Sequence, residues 1–195
     1  MSYRTFRRRH LSWVSIALVI FIFLGQHYGW FDQLNQKFNN LDPGQYHIVK
    51  YDDGDTIVVD MNGAQETIRF IGVDTPETHK PNTPVQCGGP EASAYTKAKL
   101  TLAGNKVRLQ SDPLSSNRDR YGRLLRYIYL PDGTLWNENL IQNGYGFAYT
   151  YFPFTKSAAF TADEHAAIAA KKGLWAYCKP ISNQYGGYNS NVQGT

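Results

Sequence analysis

The sequence predicts an α+β fold, a small antiparallel barrel or curled sheet with helices packed on it. Three observations point there. β-branched and apolar runs lie on both sides of Asn62-Gly63, a strong two-residue hairpin signal. A second turn signal, Pro131-Asp132-Gly133, follows another strand-like run. Helical stretches that end on glycine are interspersed after the first strands. With 195 residues, 42% of them hydrophobic and 18% charged, the chain has room for one folded domain with a core, plus appendages.

The elements follow in chain order. Residues 1–10 form a basic arm carrying Arg4, Arg7, Arg8 and Arg9. Leu11 to Gly25 is uncharged and mostly large and apolar, ahead of Tyr28, Trp30 and Phe31. A 15-residue helix reaches roughly 22 Å, short of a roughly 30 Å hydrocarbon core, so the aromatic residues are needed at the far interface. This is an export signal or an anchor; no small-x-small cleavage site follows, which favours an uncleaved signal anchor over residues 11–31. With the arginines inside, residues from 32 onward lie outside a cell membrane. Residues 32–45 are polar and read as a tether, residues 46–179 as the folded domain, and residues 180–195 as a flexible tail.

Within the domain, strands are expected at Thr56 to Val59, Thr67 to Val73, Val107 to Gln110 and Leu124 to Leu130. Helices are expected at Pro90 to Leu102, Leu135 to Asn143 and Ala162 to Lys172. Thr161 with Glu164 three positions on has the form of a capping box for the last.

Charge excludes less than it first suggests. The net +4 is due to the arm; removing its four arginines leaves sixteen basic against sixteen acidic residues. A phosphate site must therefore come from placed arginines and not from a general basic field. Cys87 and Cys178 are 91 positions apart, which excludes a local zinc or redox pair. In an oxidising compartment they can bridge, or they can remain two separate thiols.

The residues that carry chemistry fall in three groups. Asp52-Asp53-Gly54-Asp55-Thr56 leads into the first hairpin strand, and Asp74-Thr75-Pro76-Glu77 leaves its partner. A two-residue turn at Asn62-Gly63 sets Thr56 opposite Arg69 and Asp55 opposite Phe70, so both acidic groups and Arg69 gather at one end of the hairpin. On a flat ribbon Asp55 and Arg69 point to opposite faces, so their convergence requires a bend or bulge near Gly54. Oxygen-rich clusters without nearby His or Cys suit calcium or magnesium and not zinc. The third group is Arg118-Asp119-Arg120-Tyr121-Gly122-Arg123, where planar guanidinium forks can hold a phosphate.

Taken together, Asp53-Gly54-Asp55-Thr56, Arg69 through Glu77, Gly89-Pro90-Glu91-Ala92, Asp119 through Arg123 and Gly173-Leu174-Trp175 resemble the staphylococcal nuclease (thermonuclease) family in order and spacing, over about residues 46 to 176. The resemblance implies an OB-like five-stranded barrel with three helices, here preceded by an N-terminal hydrophobic helix. It also implies a calcium-dependent nuclease that cleaves DNA and RNA. By position Asp55 and Asp74 resemble the calcium carboxylates, with Thr75 offering its carbonyl. Glu77 resembles the residue that activates or orients water, and Arg69 and Arg123 the phosphate clamp. Arg120, Tyr121, Tyr149 and Tyr151 are expected on the substrate side, where aromatic rings stack on a base or hydrogen-bond a phosphate. No partner protein is implied, and the chain is expected to act as a monomer. The competing expectation is a catalytically silent nucleic-acid-binding module, the outcome when such a fold loses its acidic and arginine positions.

The chain departs from the family in two places. The stretch from Thr78 to Gln86 is proline-rich with one lysine, Lys80, where the family example is lysine-rich. Cys87 and Cys178 are additions, placed to pin the start of the first long helix to the end of the last.

Overall fold

The computed structural model describes residues 44–78, 84–184 and 187–192, all within one compact unit, Asp42–Thr195. The expected basic arm, anchor and most of the tether lie outside these residues. Among the described residues no helix is long and apolar enough to cross a membrane.

Strands β1 (Gln45–Asp53), β2 (Thr56–Met61), β3 (Ala64–Phe70), β5 (Lys106–Gln110) and β6 (Leu124–Tyr129) close a barrel in the order β1-β2-β3-β6-β5. Asn62 and Gly63 both take positive φ, as a two-residue turn of this hand requires, and Thr56 pairs with Arg69 as the turn predicts. Not every pair is antiparallel. β6 closes on β3 in parallel, Arg69 opposite Leu125, after a crossover through α1 (Gly89–Leu102) and β5.

The expected single strand Thr67 to Val73 is divided. Gly72, at φ 72°, turns the chain out of the barrel, so that β4 (Val73–Asp74) pairs with β7 (Phe147–Ala148) instead. Asn137, fully buried in α2 (Trp136–Gln142), fixes this exit: its amide donates to the carbonyls of Ile71 (2.9 Å) and Arg126 (3.2 Å) and accepts from Ile128 N–H (2.8 Å). Ile57, Val59, Ile68, Phe70, Val107, Leu109 and Ile128 fill the barrel, and Leu100, Trp136, Leu140 and Phe160 seal it with the helices.

The turn at Pro131 to Gly133 forms, but its second arm is a single bridge, Tyr129 to Leu135, before α2 begins. The third expected helix starts earlier: α3 spans Ser157–Ala169, because the Ala-rich segment ahead of Thr161 is itself helical. The capping box is therefore not a cap. Thr161 Oγ1 donates to Ser157 O within the helix, and Glu164 is buried and accepts the Ala148 N–H at 2.8 Å. A fourth helix, α4 (Leu174–Tyr177), is one turn long.

Cys87 and Cys178 form a disulfide, with Cα atoms 5.6 Å apart. The expected flexible tail is not loose over its described part: Ile181–Ser182 (β8) pairs with Tyr188–Asn189 (β9), and Gln86 bridges to Val192. Its polar side chains and backbone make hydrogen bonds far away in sequence, which composition cannot reveal.

Asp112 joins the loop after β5 to the segment after β7. Its carboxylate accepts from Tyr127 OH at 2.7 Å, from the N–H groups of Leu114 and Thr155 at 2.8 Å, and from the Thr155 hydroxyl. Burial alone raises its pKa, but these donors outweigh burial and hold it at about 2. Because the folded value lies below the unfolded one, the stabilisation is complete above about pH 4 and fades as pH falls towards 2. Asp112→Asn is expected to lower stability by about 2 kcal/mol in urea unfolding at pH 7. The gap from the unaltered chain should narrow at pH 3; a constant gap contradicts this assignment.

Candidate active site

The β1–β2 turn consists of Gly54 and Asp55 alone, between the pair Asp53 and Thr56. Asp55 is thus a turn residue whose carbonyl still accepts the Phe70 N–H at 3.0 Å, the partner expected for it, and the turn is the bend that lets its side chain meet Arg69. Register irregularities in β1 lie between Ile48 and Lys50 and between Tyr51 and Asp53, the second directly ahead of Gly54, so the expected bend or bulge near Gly54 is present. Gly54 has a further part. A Cβ there would meet Thr75 Oγ1 at 2.8 Å, so glycine permits the close approach of the two acidic segments. Thr96 of α1 supports the turn from behind, donating from Oγ1 to Gly54 O at 2.7 Å.

Asp55, only 4% exposed, receives donors from three segments. Thr56 Oγ1 donates to one oxygen at 2.9 Å, and the Thr75 N–H and Oγ1 donate to the other at 2.8 and 3.1 Å. The Nη1 of Arg69 forms an ion pair with Asp55, and its Nη2 pairs with Asp74. One guanidinium therefore holds two carboxylates, the first buried and the second partly open to solvent. β4 presents Asp74 from outside the barrel, opposite Phe147 of β7.

Glu77 follows on the same segment. Its N–H donates to Gln86 Oε1 and its carbonyl accepts from the Gln86 N–H, both at 2.9 Å. Gly89 backs this segment so closely that a Cβ would meet the Pro76 and Glu77 carbonyls at 2.9 Å. Thr78 Oγ1 donates to Asp53 at 3.0 Å, tying the loop beyond Glu77 to the β1–β2 turn.

Asp119 builds the basic turn. It accepts from the N–H groups of Tyr121 (2.9 Å) and Arg123 (3.0 Å) and from Arg123 Nε (2.7 Å). Arg118 is not at the site; its guanidinium grips Glu66 of β3 with both Nη atoms. The guanidinium carbons of Arg120 and Arg123 lie 4.8 and 5.4 Å from the ring of Tyr121, which is 67% exposed. Arg123 is paired to Asp119 and not to the Asp55–Arg69–Asp74 group.

Tyr149 connects the two halves. Its N–H donates to Gly72 O at 2.9 Å, and its phenol pKa is raised, first by burial and then by the Asp74 carboxylate, while Arg69 and Arg120 oppose the shift. Tyr149, Tyr151 and Phe152 form an aromatic cluster with ring centroids 4.8 to 6.4 Å apart, and the last two are more than half exposed. Phe152 was not among the expected residues, although the aromatic run Tyr149, Tyr151, Phe152, Phe154 was a usable signal. The role of Gln86 had no signal in the sequence.

The donor set is oxygen only. Among the described residues no group of three or more His, Cys, Asp or Glu side chains is gathered to hold a metal. Two carboxylates brought to one guanidinium, with the Thr75 backbone beside them, do fit a hard cation that takes its remaining ligands from water and phosphate.

The staphylococcal nuclease homologue family model matches residues 67–177. The chain belongs to the staphylococcal nuclease family. It is 43% identical over 139 residues to the thermonuclease of Staphylococcus hyicus, covering 71% of this chain and 79% of that protein. The thermonuclease of Staphylococcus intermedius is 40% identical over 143 residues, 73% of this chain and 81% of the relative. Endonuclease YncB of Bacillus subtilis is 42% identical over 143 residues, 72% of this chain and 65% of the relative. The closed five-stranded barrel with packed helices accords with the OB-like α+β fold of the family.

Removing Arg69 leaves buried Asp55 with only the neutral donors of Thr56 and Thr75. Arg69→Met is expected to cost about 3 kcal/mol in urea unfolding at pH 7, the low end for breaking one side of a buried pair. Arg69→Lys should recover part of that loss, and an unchanged unfolding midpoint in Arg69→Met contradicts the bridging role.

Proposed function

We propose that this chain is a calcium-dependent nuclease that hydrolyses phosphodiester bonds of DNA and RNA, with its catalytic domain held outside a cell membrane by residues 11–31. The observation that carries the reading is the Asp55–Arg69–Asp74 group, two carboxylates on one guanidinium at the end of the barrel. Relatives named thermonuclease and endonuclease support it. The basic arm ahead of an apolar run supports the location, as does a disulfide, which persists in oxidising compartments.

The roles follow from the chemistry of each side chain. Asp55, Asp74 and the Thr75 carbonyl are the residues to hold the cation, which when bound supplies charge to polarise the phosphate and activate water. Arg69 has five N–H donors, enough to exchange carboxylate contacts for phosphate oxygens as substrate arrives. Arg123 is braced at Nε by Asp119, and its guanidinium is the donor for a second phosphate oxygen. Together the two arginines take up the additional negative charge of the in-line transition state. Glu77 orients or activates the attacking water, from a backbone held on both sides by Gln86. Tyr121, Tyr149 and Tyr151, with Arg120, receive base and phosphate. A silent binding module is the weaker reading, because each acidic and arginine position of the family motif is filled.

The full chain is expected to digest single-stranded DNA, duplex DNA and RNA with calcium present, to stop when a chelator is in excess and to resume when calcium is restored. Arg123→Ala and Glu77→Gln should each lower kcat by about 10²–10³-fold. Undiminished cleavage in chelator, or variants as fast as the unaltered chain, overturns the reading.

A further inference from the structure

We propose that the strap Tyr188–Val192, fastened beside the Cys87–Cys178 bridge, positions Glu77 for catalysis through Gln86; the proposal rests on the nuclease reading above. Gln86 is the positioning residue. Its side chain accepts the Glu77 N–H and its own N–H donates to the Glu77 carbonyl, so the backbone of Glu77 is held wherever Gln86 is held.

The strap in turn holds Gln86. Gln86 bridges to Val192 in antiparallel fashion, and the next N–H, of Cys87, donates to Asn191 O at 2.7 Å. Ser190, 7% exposed, donates from its hydroxyl to the Cys87 carbonyl at 2.5 Å. The Asn191 amide donates to the carbonyls of Cys178 and Lys179 at 3.2 and 3.3 Å, so one short stretch of tail binds both ends of the disulfide. Tyr188 sets the strap against the fold, with its ring 4.9 Å from Trp175 and 6.0 Å from Phe147. Phe147 pairs with Asp74 in the β4–β7 ladder. The same strap therefore reaches the strand partner of one site carboxylate and the clamp on Glu77.

Ser190 is buried and the strap pairs with backbone more than a hundred positions away in sequence, so it is fastened to Gln86 and Cys87 over its described length. Three of these contacts, the Val192 bridge, the Asn191 carbonyl and the Ser190 hydroxyl, fall on residues 86 and 87, and the others fasten the strap to Cys178, Lys179, Trp175 and Phe147. Freed from them, Gln86 loses its fixed position, and a small displacement of an assisting carboxylate lowers turnover more than it lowers binding.

The test compares the full chain with one that ends at Gly187 and with Ser190→Ala and Ser190→Thr. Two quantities are measured: kcat and KM on single-stranded DNA, and hydrogen exchange at the Glu77 and Gln86 amides. The truncation is expected to lower kcat by about tenfold or more with KM within about twofold, and to speed exchange at both amides. Ser190→Ala should move the same quantities in the same direction to a smaller extent, and Ser190→Thr should restore them. If the truncated chain does not fold, the two serine variants decide the matter. Unchanged exchange at Glu77 and Gln86 overturns the strap as a clamp, and faster exchange with unchanged kcat, or a loss confined to KM, overturns its role in positioning. Absence of cleavage by the full chain overturns the nuclease reading, while amide exchange still decides whether the strap holds Glu77.

Discussion

A buried carboxylate is stable only when donors replace the water it has lost, and Asp55 meets that requirement at a two-residue turn where little backbone is available to supply them. The donors come instead from Thr56, Thr75 and Arg69. Each imposes a structural condition. Thr75 can approach only because Gly54 has no side chain, and Gly72 must turn the chain outward after β3 for the second acidic segment to return over the β1–β2 turn. Arg69 must sit opposite Thr56, which the Asn62-Gly63 turn dictates. Once Arg69 is drawn to Asp55, its other Nη reaches Asp74, and the two carboxylates come together on one cation.

The remainder of the site is arranged around that group by elements that contribute no chemistry of their own. Thr96 of α1 holds the turn from behind, Asn137 of α2 holds the exit of β3, and Glu164 of α3 holds β7, which pairs with β4. Asp112 ties down Thr155, just beyond the aromatic cluster of Tyr149, Tyr151 and Phe152. The closed barrel is thus the frame, and the helices hold the segments at its end.

Local signals were legible in the sequence where a short-range rule determines geometry. Asn62-Gly63 admits one tight turn, so the pairing of Thr56 with Arg69 could be derived, and Gly104 and Gly144 follow the ends of α1 and α2, whereas α3 ends at Ala169 and Gly173 precedes the next helix. What depended on distant partners was not legible. The extra residue at Val49 breaks the alternation of β1 and hides that strand, and with it the two-residue turn at Gly54-Asp55 that supplies the bend by which Asp55 meets Arg69. Thr161 and Glu164 have the spacing of a cap, but the preceding alanines extend the helix past them and the tertiary fold uses Glu164 to cap a strand. The tail is polar because its partners are backbone groups near Cys87, a fact invisible to composition. For the site, motif resemblance assigned roles to Glu77 and Arg123 that residue chemistry alone left open.

The central claim is that Asp55 and Asp74 form one oxygen site for a hard cation, and calorimetric titration of calcium into the full chain tests it most directly. One ion is expected to bind per chain, with binding lost or weakened at least tenfold in Asp74→Asn while the fold is retained. Calcium binding of equal affinity in Asp74→Asn, or none in the unaltered chain, contradicts the account.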